Sequence, residues 1–127
     1  LQYTFDGSDF IHVGVNYDKV VQFETTSGTK MPEEIANFFQ TMSAISLDGI
    51  RIEFENIYSL ELLGKNYYVL GEFWKEADGD LVLWDPSESN DPTKIYYYAH
   101  EQNKIKLLTK SFKDLIEKEF ALYNKNL

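Results

Sequence analysis

From Leu47 the apolar period changes to two, as in Ile50–Phe54, and short apolar runs separated by only a few residues follow as far as Leu108. A period of two sends alternate side chains to opposite faces of an extended chain, so these runs read as strands. Connections this short join antiparallel neighbours, because parallel ones need crossovers of about a dozen residues. In residues 50–54, Ile50, Ile52 and Phe54 point one way while Arg51 and Glu53 point the other. Residues 60–63 form a short apolar patch before a turn at 64–66. Residues 67–74 and 81–85 read as strands joined across 75–80, where Asp78-Gly79 is a favoured tight-turn pair. A polar loop fills 86–92, and strands at 94–99 and 105–108 complete a meander.

Helical signals flank this core. Pro32 suits a helix start, where its missing N–H would be unpaired anyway, and Glu33 and Glu34 follow where the helix dipole favours negative charge. Met31, Ile35, Phe38, Met42 and Ile45 then recur at spacings that build one apolar face, which predicts a helix over 31–42. Near the end, Ser111 is a good cap with Asp114 three residues on. Phe112, Leu115, Ile116, Phe120 and Tyr123 form the stripe of a closing helix. Residues 17–26 remain open between two readings: Val20, Val21 and Phe23 favour a strand, while Asn16 or Asp18 fits a helix cap. A short strand is expected around 10–15. Together these elements predict an α+β fold, an antiparallel β-sheet packed against two or three helices. Residues 1–127 read as one domain in which 1–16 form a strand-bearing extension.

Composition narrows the function classes. Apolar residues make up 43% of the 127, which is too hydrophobic for intrinsic disorder. No apolar run approaches the roughly 20 residues of a membrane span. The absence of Cys removes disulfides, thiolate metal sites and cysteine nucleophiles, and it suits a reducing, cytoplasmic location. The net charge of −9 opposes binding to nucleic acid, which takes a basic patch. Charge is also uneven: residues 1–102 hold 18 acids and 6 bases, whereas 103–127 hold 3 acids and 6 bases. An acidic body of this kind favours a basic partner.

Catalytic patterns are sparse. His12 and His100 stand 88 positions apart, outside any metal-binding spacing, and neither a G-x-S-x-G elbow nor a phosphate-binding loop occurs. Asp78 and Asp80 flank Gly79 like part of a calcium loop, but no third ligand follows at the required spacing. Glu72, Asp85 and His100 are the residues a hydrolytic or small-ligand site would use. No cofactor, metal or membrane partner is expected. The aromatics say more: Tyr96, Tyr97 and Tyr98 are consecutive, as are Tyr67 and Tyr68, so some rings must face away from a helix-covered side. Tyr and Trp on an open face are good anchors for protein partners.

The run YVLGEFWKEADGDLVLWD is similar to the strand, Gly, turn, Gly-Asp, strand, Asp pattern of the SUKH superfamily, through Gly71, Gly79, Asp80 and Asp85. That superfamily comprises fungal cell-wall-synthesis regulators and bacterial immunity proteins. KIYYYAHEQNKIKLLTKSFKDLIEKEF resembles its closing strand, His-Glu turn (His100, Glu101) and last helix (Ser111, Phe112). FETTSGTKMPEEIANFF resembles its early helix and second-helix entry, with Phe23, Glu24, Gly28, Met31 and Pro32 matching. SLDG at 46–49 stands where the family usually has a doubled Gly. The resemblance spans 17–123 and implies a helix over 17–26.

It also implies a non-enzymatic protein-binding domain, an immunity protein neutralising a cognate toxin, with a regulatory scaffold as the alternative. A basic toxin such as a nuclease is the partner such an acidic chain would suit. By expected exposure, the partner-binding residues are Arg51, Glu53 and Glu55 on the polar side of one strand, with Asp78 and Asp80 at a hairpin tip.

Overall fold

A computed structural model describes residues 2–4, 10–13, 17–47, 49–73, 79–88 and 92–125. Its strands are β1 (Gln2–Thr4), β2 (Phe10–Val13), β3 (Met42–Leu47), β4 (Ile50–Glu53), β5 (Tyr58–Leu62), β6 (Lys65–Phe73), β7 (Asp80–Trp84), β8 (Ile95–Ala99) and β9 (Lys104–Thr109). Helices α1 (Tyr17–Ser27) and α2 (Glu33–Thr41) lie between β2 and β3 in the chain, and α3 (Phe112–Lys125) closes it. Among the described residues the strands form one antiparallel sheet in the order β1-β2-β3-β4-β6-β7-β8-β9, with β5 paired to β6. The expected α+β class, a meander packed against helices, is what the chain adopts.

One face of the sheet carries the main core. Ile45, Ile52, Leu70, Val82, Trp84 and Ile95 pack there with Val20 of α1, Ile35 and Phe39 of α2, and Phe112 and Leu115 of α3. The segment that local signals left open is helical, as the resemblance implied. Val20 and Phe23, one turn apart, both face the sheet, and Phe23 meets the rings of Tyr68 and Trp84. Burial of that stripe outweighs the modest helix penalty of β-branched valines.

The second helix is shorter than its apolar spacing implied. Met42 is already extended (φ −130°, ψ 137°), and β3 begins there without a loop. Met42 and Ile45 therefore belong to a strand and not to the helix face. The pattern misled because Ile45 is buried on either reading, pairing with Ile11 and Ile52. Ser111 caps α3 as expected, its hydroxyl accepting from the Asp114 N–H at 3.0 Å. Phe120 and Tyr123 lie outside the described side chains.

Glu34 ties the layers together. One carboxylate oxygen accepts from the Thr93 N–H (2.8 Å) and the other from the Lys113 N–H in the first turn of α3 (2.7 Å). In Glu34→Gln one of those N–H groups faces an amide NH2 group. The expected loss is about 1–2 kcal/mol, read as a fall in thermal midpoint of roughly 3–8 °C. An unchanged midpoint would show that the clamp adds nothing.

Candidate binding groove

The strand run that begins at Ile50 does not continue unbroken. Ile52 pairs with Gly71 and Tyr58 pairs with Val69, so five residues (53–57) stand opposite the single residue Leu70. The surplus is taken up by a 3-10 turn at Phe54–Asn56. β4 and β5 are therefore two halves of one broken strand lying along the same side of β6. Two apolar residues of the break, Phe54 and Ile57, pack against the core. The rest of the turn stands off the sheet.

Gly71 makes this closure possible. A β-carbon there would overlap the Arg51 carbonyl oxygen and sit 2.7 Å from its carbon and 2.9 Å from the Ile52 Cα. Only glycine lets β6 approach β4 this closely. The irregular pairing between Val69 and Gly71 falls at the same place, opposite the 3-10 turn.

On the face away from the helices, the break leaves a groove of about 540 Å3. Its floor holds Arg51, Glu72 and Leu81, which lie side by side on three strands. Glu53, Glu55 and Tyr58 border it. Three carboxylates and one guanidinium thus line the same groove. Arg51 Nε lies 3.5 Å from Glu53 Oε1, and Asn56 donates to Glu53 Oε2 at 2.8 Å. Lys19 of α1 forms an ion pair with Glu55 across a second groove of about 380 Å3, between α1 and the turn. The 3-10 turn is a ridge with a groove on either side, and Glu55 and Ile57 belong to both.

Three of the residues singled out from sequence, Arg51, Glu53 and Glu55, line this one groove. Sequence reasoning missed Asn56 and Tyr58. The only signal for them was the loss of alternation after Phe54. Asp78 lies outside the described residues. Asp80 is not the exposed tip residue expected: it is 1% exposed and lies opposite Phe73. Its Oδ1 accepts from the His100 N–H (3.0 Å) and lies 2.6 Å from His100 Nδ1. An Asp that follows a turn Gly can point inward as easily as outward, and here the β8–β9 turn supplies donors that hold it in.

The hydrolytic trio does not converge. Glu72 lines the groove, and His100 binds Asp80 at the start of β7. Asp85 follows the other end of that strand, five positions and roughly 17 Å from Asp80. It is 3% exposed and is held by Lys65 Nζ at 2.5 Å and by the N–H and hydroxyl of Ser87 at 2.9 and 2.7 Å. Burial raises the Asp85 pKa, but the bonds from Lys65 and Ser87 outweigh it and hold the carboxyl below its ordinary range. Among the described residues, no three His, Asp or Glu side chains are placed to share a cation.

A lowered carboxyl pKa stabilises the folded state above the unfolded value and loses that contribution as pH falls through the folded one. Stability is therefore expected to drop more steeply in the wild type than in Asp85→Asn below about pH 4, the ordinary carboxylate range. Parallel acid limbs in urea titrations of the two proteins would contradict this.

The aromatic rings divide between the faces. Tyr97 enters the main core, whereas Tyr67, Tyr96 and Tyr98 join Val69, Leu83 and Ile105 in a second cluster on the opposite face. Tyr96 donates to Glu88 at 2.5 Å and Tyr98 to Asn103 at 2.6 Å. Burial first, then the Glu88 carboxylate, holds the Tyr96 phenol well above its usual pKa. These rings form a packed layer, and the exposed ring at the groove is Tyr58. Trp74 lies outside the described residues.

The fold and groove define an α+β protein whose antiparallel sheet is backed by helices on one face. No family model, curated protein or solved structure matches the chain. Among the described residues no helix is long and apolar enough to cross a membrane.

Proposed function

We propose that this chain is a non-enzymatic, protein-binding domain that holds a basic partner against the groove at the broken strand. In this reading it is a cytoplasmic immunity protein of the SUKH type and its partner is a cognate toxin, a basic nuclease domain being the best fit. The observation that carries the proposal is the groove itself, which Glu53, Glu55 and Glu72 line together with one arginine and the exposed Tyr58 ring. Clustered carboxylates steer a basic surface and penalise wrong partners, and an exposed tyrosine supplies the rigid apolar anchor of a binding hot spot. The three segments resembling the SUKH superfamily, in an α+β chain with net charge −9, point the same way.

Co-expression with the product of each neighbouring gene tests this. The expected result is a complex with one basic product whose affinity falls by about tenfold or more between low and high salt, as exposed charge contacts are screened. A complex indifferent to salt, or none with any neighbour, would overturn the immunity reading.

A further inference from the structure

Strand β5 differs from the edge strand β9. β9 carries Lys104 and Lys106, with Lys110 just beyond it, and edge lysines discourage further strand pairing. β5 reads YSLEL, without Lys or Pro, and its register with β6 runs unbroken from Tyr58↔Val69 to Leu62↔Lys65. Among the described residues β5 pairs with β6 alone. Two of the five large apolar side chains exposed among those residues, Tyr58 and Leu63, stand at its two ends.

The hairpin geometry says which backbone groups are free. Leu63 (φ 54°) and Gly64 (φ 80°) make a two-residue turn of the type with positive φ at both positions. Such a turn makes Leu62 and Lys65 a hydrogen-bonded pair, and bonded and non-bonded pairs alternate from there. Tyr58, Leu60 and Leu62 therefore bond inward to β6, while the N–H and C=O of Ser59 and Glu61 point outward.

We propose that this outward edge is a strand-addition site for an extended, lysine- or arginine-rich segment of the partner. The inference rests on the protein-binding reading above and names how the partner is held: main-chain bonds to Ser59 and Glu61, with basic side chains reaching the groove at the Tyr58 end. Charge selects this occupant. Glu61 lies on the edge itself, and Glu53, Glu55 and Glu72 border the groove next to it. The nearby Lys65 ammonium is engaged by Asp85. A second copy of this chain would bring another −9 to the same edge. Main-chain pairing supplies affinity in this mode and alternate side chains supply specificity.

Amide hydrogen exchange by NMR tests it, with an alternating lysine–valine octapeptide as probe and a glutamate–valine octapeptide as control. At saturating basic peptide, exchange at Ser59 and Glu61 is expected to slow roughly tenfold or more, while Tyr58, Leu60 and Leu62, already bonded to β6, change little. Ser59→Pro removes only an outward N–H and is expected to abolish the slowing at Glu61. Glu61→Lys keeps the backbone and is expected to weaken binding by about threefold or more. Peptide-induced shifts confined to Arg51, Glu53 and Glu72 would overturn the strand-addition site and leave the acidic groove standing. No response to the basic peptide, or an equal response to the acidic one, would overturn both. Slowing that grows with protein concentration alone would identify a second copy as the occupant and overturn the proposal.

Discussion

Gly71→Ala is expected to lower stability by about 3 kcal/mol or more, at the upper end of overpacking costs. The added methyl would meet the Arg51 carbonyl group and the Ile52 Cα, all main-chain atoms that cannot rotate aside. Relief requires β4 and β6 to separate where Arg51 pairs with Glu72 and Ile52 with Gly71 itself. That pairing holds the floor of the groove, so binding is expected to fail along with stability. A thermal midpoint at least roughly 10 °C below wild type would be the reading for a chain of this size. A midpoint within about 2 °C would show that the strands lie farther apart than described.

Asp80→Ala is expected to cost nearly as much, about 3 kcal/mol, because charge-assisted bonds to a buried carboxylate are among the stronger ones. Asp80 is the only described acceptor shown for the His100 N–H, and it also engages the ring nitrogen. Its removal takes away the side-chain tie between the start of β7 and the β8–β9 turn. Asp80→Asn keeps an acceptor oxygen where both contacts converge but loses the charge, and it is expected to recover part of the loss. His100→Ala removes the ring side of the same contact and is expected to lower the midpoint as well. Unfolding curves for the three variants, measured side by side, check the ranking. Equal stability of Asp80→Ala and the wild type would contradict it.

The meander was legible because its physics is local. Alternation at Ile50–Glu53 follows from burial of one face, β6 to β8 read as continuous apolar runs because both of their faces are covered, and short gaps leave little choice of connection. Cap chemistry placed the start of α3 correctly. Two elements required tertiary context. α1 is helical because Val20 joins the core and Phe23 finds Tyr68 and Trp84 beneath it, contacts no window of ten residues contains. β3 was hidden because Met42 and Ile45 continue the apolar spacing of α2 beyond its last turn.

The candidate site was legible in part for a similar reason. Arg51 and Glu53 follow from strand alternation, and Glu55 follows them in the chain. That Glu72 joins them depends on the register between β4 and β6, and that Tyr58 borders them depends on the break. Asp80 shows the converse error. Polarity beside a turn suggested exposure, but the donor that buries it stands 20 positions away.

The central claim is that acids at the broken strand, and not the overall negative charge, hold the partner. Stopped-flow association with the basic partner separates the two, using Glu53→Lys with Glu72→Lys against a control, Glu101→Lys with Glu117→Lys, that makes the same change in net charge. The groove pair is expected to slow association by roughly tenfold or more and the control pair by less than about threefold. Equal slowing by the two pairs would mean that net charge alone does the steering and that the groove is not the contact.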